Sequence, residues 1–63
     1  MPIINIKHAS PLTADQADEL IASLTDVYAS VTQAKPEAIH VLIERVSADR
    51  WGVNGRALVH KNA

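Results

Sequence analysis

The sequence predicts an α/β fold made of a single β-α-β unit with a small β-hairpin near its C-terminal end. Three observations predict it. Residues 2–7 alternate in the two-residue period of a strand. Residues 14–33 place apolar side chains at the three- and four-residue spacing of an amphipathic helix. Residues 38–46 form a second, strongly apolar strand pattern. A strand, a long helix and a second strand make the two strands parallel, joined by a right-handed crossover.

In the first strand, Pro2, Ile4 and Ile6 share one face, and Ile3, Asn5 and Lys7 the other. Residues 8–12 interrupt the pattern: Pro11 cannot donate to a ladder and biases Ser10 away from helix. Thr13 followed by Gln16 fits a capping box, which opens the helix. Asp15, Asp18 and Glu19 suit the positive end of the helix dipole. Ala17, Leu20, Ile21, Leu24, Val27, Tyr28 and Val31 make one apolar stripe, with Tyr28 expected in the core. Lys35-Pro36 is expected to stop the helix.

In the second strand, Ile39, Val41 and Ile43 share a face with Arg45, while His40 and Leu42 share the other with Glu44. Apolar residues on both faces indicate a strand covered on both sides. Arg45 is expected in a salt bridge or an interface. Residues 47–50 read as a polar loop. Asn54-Gly55 then marks a hairpin near residues 51–58, since both residue types accept positive φ. The tail from His60 is expected to fray.

The 63 residues make one domain, 1–63. A core this small rarely supplies more than about 3–5 kcal/mol without help. The chain has no cysteine, so neither disulfides nor thiolate metal sites supply that help. His8, His40 and His60 lack metal-ligand spacing. No cofactor is implied. Oligomerisation is the expected stabiliser, because 48% of the chain is hydrophobic and two strands with one helix leave a sheet face open. A net charge of −1 without a basic run argues against nucleic acid as a partner. The chain shows neither a membrane-length apolar run nor a signal-peptide pattern, so a soluble, cytoplasmic protein is expected.

Pro2 directly follows the initiator methionine. Removal of Met1 would leave it with a free secondary amine in a stiff ring. A free α-amino group has a reference pKa of about 7.7–8.0, which desolvation or a nearby cation lowers. Such a nitrogen suits a general base. The competing reading is structural, since proline is tolerated at the first residue of a strand.

Taken together, Pro2 after Met1, the Ile-rich first strand, the capped helix, the apolar second strand and the aromatic-Gly hairpin resemble the 4-oxalocrotonate tautomerase family. The resemblance spans nearly the whole chain, and the order and spacing of these features carry it. It implies a tautomerase (MIF-like) fold that dimerises through its sheet and assembles as a hexamer, a trimer of dimers; relatives built from two kinds of subunit imply that a heterohexamer is an alternative. It implies proton transfer by the processed proline between atoms of a 2-hydroxydienoate. Pro2 falls on the catalytic position and Trp51 on the aromatic that lines the pocket. The Arg50-Trp51 pair and the segment Val53-x-Gly55-Arg56 resemble the tryptophan-bearing relatives.

Two positions depart from the family pattern. Leu12 and His40 stand where the resemblance implies two substrate-clamping arginines. Leucine offers no equivalent of a bidentate carboxylate contact. Histidine donates one hydrogen bond and changes charge near neutrality. His40 is therefore a candidate for orienting a substrate oxygen, Arg50 and Arg56 for replacing the lost clamp, and Leu12 for a pocket wall. Each has a plain structural alternative: a histidine bonded within the sheet, two solvated surface cations, a loop anchor.

The expected function is a cofactor-free tautomerase acting on a small carboxylate, with an enol-pyruvate-like monocarboxylate favoured over a dicarboxylate. Two alternatives stand beside it. One is a hydratase or dehalogenase-type relative, which needs a water-activating group; Glu44 shares a face with His40 but lies far along the strand. The other is a non-catalytic or structural subunit of a tautomerase-like oligomer.

Overall fold

The computed structural model describes residues 1–60. Strand β1 spans Ile3–His8, helix α1 Ala14–Thr32 and strand β2 His40–Arg45. A short hairpin follows, with β3 at Gly52–Val53 and β4 at Arg56–Ala57. Single 3-10 turns occupy Pro36–Ala38, Ala48–Arg50 and Leu58–His60. The β-α-β reading therefore holds, with differences at the edges of the elements. The turn at Pro36–Ala38 shortens β2, and the expected loop at 47–50 contains a helical turn. His60 closes the last 3-10 turn, while the rest of the expected fraying tail lies outside the described residues.

The two main strands are parallel, in a register that sets Ile3 beside His40, Asn5 beside Leu42 and Ile6 beside Ile43. β3 and β4 pair antiparallel, Val53 opposite Arg56. Asn54 and Gly55 carry φ of 54° and 81°, the two positive values that a tight hairpin turn of this hand requires.

Both ends of α1 are explained by local chemistry. Thr13 Oγ1 accepts from the Gln16 amide at 3.1 Å, and Gln16 Oε1 accepts from the Thr13 amide at 2.9 Å, completing the capping box. The helix ends within one residue of the expected position 33, just ahead of Lys35-Pro36. Gln33 adopts the left-handed conformation at φ 64°, and its N–H donates to the Ala29 carbonyl at 2.8 Å. Thr32 then accepts the Ala34 N–H through its side chain at 3.2 Å, so the chain has already turned before Pro36.

Only one face of the sheet is covered within the protomer. Ile4, Ile6, Val41 and Ile43 on the helix side are half-buried, whereas Ile3 and Leu42 on the other side are 63% and 50% exposed. The double cover expected for β2 is thus absent from the single chain. The apolar stripe of α1 is also narrower than its periodicity suggests. Ala17, Leu20, Leu24 and Tyr28 are half-buried, but Val27 and Val31 are exposed. Val27 is rotated about 100° from Tyr28, onto the helix flank. Val31 overhangs: the 19-residue helix is about 28 Å long, and a six-residue strand only about 20 Å.

Ile39, just before β2, is the one buried hydrophobic side chain among the described residues, still 8% exposed. The radius of gyration is 14.8 Å, against roughly 11 Å for a compact chain of this length. The surface area of 4973 Å² likewise exceeds the roughly 4000 Å² of a compact 6.8 kDa monomer. The hairpin accounts for much of this, since it packs chiefly on the neighbouring 3-10 turns rather than on the helix and sheet. No helix among the described residues is long and apolar enough to cross a membrane.

Candidate active site

Pro2 stands immediately before β1, half-buried, in the alternation that turns Ile4 and Ile6 toward the helix. Its carbonyl accepts the His40 N–H at 3.0 Å. That bond fixes the backbone of Pro2 against β2, so the proline is anchored from its carbonyl side. Met1 beyond it is 89% exposed.

The same bond brings His40 next to Pro2 in the backbone, but their side chains diverge. His40 pairs with Ile3 and shares its exposed face, while Pro2 belongs to the helix-side set. Within one chain the two side chains therefore lie on opposite faces of the sheet. The pattern of strand alternation contained this, once the parallel register is known.

Leu12 is separated from Pro2 as well. It is half-buried in a groove with Pro11, Ala17, Ile21 and Ile43, and with His8 and Arg45 at the strands' C-terminal end. Ile43 pairs with Ile6, and the four residues from Pro2 to Ile6 span about 13 Å of strand.

Trp51, Arg50 and Arg56 cluster around the hairpin. Trp51 is half-buried, and its carbonyl accepts the Leu58 N–H at 2.8 Å, which closes the base of the hairpin. Arg56 lines a shallow concavity of about 260 Å³ with Val53, Asn54, Ala57 and Leu58. Arg50 is 77% exposed in its side chain and lies 3.6 Å from the Asp49 carboxylate, a weak surface pair. Of the six residues singled out by sequence, the fold joins Arg50, Trp51 and Arg56 in one region. It leaves Pro2 and His40 on opposite faces and Leu12 farther along the sheet.

Arg45 and Glu44 both have defined side-chain partners. Arg45 takes part in no ion pair among the described residues; its Nε donates to the Ala9 carbonyl at 3.2 Å and ties down the loop after β1. Glu44 is held 2.5 Å from Lys7 Nζ on the open face, four residues along β2 from His40. Sequence reasoning named Leu12 as a pocket wall but did not join it to Arg45 in one groove. The signal was present in the end of β2, where a lone cation follows an apolar run, but its neighbours come from three separate elements. Among the described residues there is no cluster of metal-binding side chains.

The family model described as tautomerase enzyme matches residues 2–61, nearly the entire chain. The chain belongs to the tautomerase family. A probable tautomerase of Halalkalibacterium halodurans is 34% identical over 58 residues, covering 92% of this chain and 95% of that protein. Among solved structures, DmpI from Helicobacter pylori superposes with a TM-score of 0.87 at 29% identity, covering 94% of this chain and 98% of its own. YwhB, a homologue of 4-oxalocrotonate tautomerase, superposes with a TM-score of 0.88 at 29% identity, covering 94% and 97%. The β-α-β unit with its C-terminal hairpin is thus the tautomerase fold.

Proposed function

We propose that residues 1–63 form one cytoplasmic enzyme domain, a cofactor-free tautomerase that uses Pro2 as general base and acid once Met1 is removed. The observation that carries this reading is the setting of Pro2 in a tautomerase-family chain. Its carbonyl is fixed by His40, its ring sits half-buried at the end of the sheet, and the neighbouring Met1 is exposed. A nitrogen held this way returns a proton along a fixed direction, and orientation is a large part of general base catalysis.

The substrate class is a small carboxylate bearing an enol, of the enol-pyruvate kind. The Pro2 amine takes the enol hydroxyl proton. The C–O bond becomes C=O, the C=C bond becomes single, and a carbon of the former double bond receives the proton. Charge developing on the substrate oxygen needs a donor. His40 of a neighbouring copy fits that part, since its own chain directs it away from Pro2, onto the open face. Arg50 or Arg56 hold the carboxylate, and Trp51 walls the pocket against water together with Leu12 of a neighbouring copy, since within one chain Leu12 lies about 13 Å of strand from Pro2. The exposed Ile3 and Leu42 support assembly through the open face, as a homohexamer of three dimers. Neither nucleic acid nor a membrane enters this reading.

Leu12 and His40 together favour a second reading, in which the chain is a non-catalytic subunit of a mixed oligomer. Leu12 packs among apolar neighbours and offers no charge to a substrate.

The deciding experiment follows the ultraviolet ketonisation of phenylenolpyruvate by the wild type and by Pro2→Ala, with intact mass confirming loss of Met1. The expected result is a rate above background that falls by about 10²-fold or more in the variant. Equal rates near background, or a retained Met1, overturn the base assignment and leave the non-catalytic reading.

A further inference from the structure

The protomer is buried most deeply at the Pro2 end of its sheet rather than at the middle. Ile39 is 8% exposed although it lies just outside β2, while Val41 and Ile43 within the strand are only half-buried. Local chemistry puts it there. Pro36 opens the 3-10 turn with its ring-fixed φ, and the Ala38 N–H donates to the Lys35 carbonyl at 2.9 Å. The Ile39 N–H donates to the Pro36 carbonyl at 3.1 Å, and its backbone leaves the turn extended, at φ −93° and ψ 123°. The turn therefore consumes the Ile39 donor and leaves the next one, the His40 N–H, for the Pro2 carbonyl at 3.0 Å.

The same arrangement sets the Ile39 side chain beside Pro2. The parallel register pairs Ile3 with His40, so its continuation by one residue sets Pro2 beside Ile39. Partners in this register share a face: Ile3 and His40 are both exposed, Ile4 and Val41 both half-buried. Pro2 and Ile39 thus stand side by side toward the helix, on strands about 4.8 Å apart. Ile39 is branched at Cβ, so it presents a stiff wall with no polar atom in it.

The ionisable groups around Pro2 give that wall a chemical consequence. The sheet-facing stripe of α1 contributes Tyr28, a phenol without charge while it keeps its proton. Lys35 and Glu37, at the turn, are exposed, and His40 of β2 lies on the opposite face. Arg50 and Arg56 sit with the hairpin, which packs chiefly on neighbouring turns rather than on the helix and sheet. Within the chain, exclusion of water is therefore the local means of disfavouring a protonated amine at Pro2. We propose, resting on the reading of Pro2 as the base, that Ile39 is its positioning residue: lying along the ring, it holds the ring on its anchoring bond and keeps water from the amine once Met1 is gone.

The test reads the Pro2 amine directly, by nitrogen NMR titration of the intact, Met1-processed protein labelled at proline, alongside the pH profile of kcat/KM for phenylenolpyruvate. Pro11 and Pro36 are amides and do not titrate. Ile39→Thr keeps a Cβ branch but adds a hydroxyl that accepts from an ammonium, so the amine midpoint should rise by about one pH unit toward the ordinary α-amino range. Below both midpoints kcat/KM should then fall about tenfold, the factor by which the neutral fraction falls, while above them it should stay near the wild-type value. A loss of packing alone lowers the rate at every pH. Ile39→Val keeps the apolar wall and should move the midpoint in the same direction by a smaller, resolvable step; it decides the matter if Ile39→Thr does not fold. Val41→Thr makes a like exchange farther along the helix-side face, beside Ile4, and should leave the midpoint in place. An unmoved midpoint in the Ile39 variants, or an equal shift in Val41→Thr, overturns the proposal. The titration needs no turnover: a Pro2 amine that follows Ile39 in a protein that ketonises nothing supports the role of Ile39 and sinks the base reading alone.

Discussion

Replacing Leu42 with aspartate should dissolve the assembly proposed for this protein and unfold it in the same step. Leu42 is 50% exposed on the open sheet face, in register with Asn5, and Ile3 nearby on that face is 63% exposed. Fully burying a leucine is worth about 1.5–3 kcal/mol, so covering the exposed half gives about 1 kcal/mol per copy. A symmetric contact counts it twice, about 2 kcal/mol, or a thirtyfold change in dissociation constant. Aspartate adds the cost of desolvating an unpaired carboxylate, several kcal/mol at a closed interface, and sits two residues from Glu44 on the same face. The combined effect should exceed a hundredfold. Sedimentation velocity over a micromolar dilution series measures it, with Leu42→Ala as the milder step. The extended, little-buried protomer should lose its far-ultraviolet helix signal as it dissociates. An aspartate variant with wild-type mass and an unchanged thermal midpoint would refute the claim that this face is covered by another copy.

Thr13→Ala removes the hydroxyl half of the capping box and should cost about 1 kcal/mol in denaturant unfolding, with little loss in Thr13→Ser. Gly55→Ala places a side chain at φ +81° where nothing lies within 4 Å, so strain alone acts. It should lower stability by about 1 kcal/mol without a steric clash, while Gly55→Asn should recover much of it.

Much of the fold was legible because its signals are short-range. The capping box is read from two residues three apart, the hairpin turn from an adjacent pair, and the strand faces from alternation. The departures arise where a longer-range quantity enters. Val27 and Val31 fit the apolar rhythm of α1, yet the rhythm carries no information about where the sheet beneath it ends. The end of α1 was read to within a residue, ahead of Lys35-Pro36; only the left-handed turn at Gln33 that makes it was not. Arg45 was expected in a salt bridge or an interface; within the chain it pairs with no acid among the described residues, and a loop carbonyl accepts from it instead.

The candidate site divides in the same way. The residue types that chemistry would need, a proline behind Met1, a tryptophan, two arginines near a Gly-containing turn and a histidine in the second strand, are all written in the chain. The sequence by itself determined those identities, the order of the elements and the apolar excess that one helix cannot cover, because each depends on composition or on neighbours a few residues apart. The tertiary structure alone decided that Pro2 and His40 share a backbone bond while their side chains part to opposite faces. It also decided that Leu12 and Arg45 meet in one groove. Both outcomes follow from strand register and from the path of the loop after β1, and these are settled only when distant segments pack.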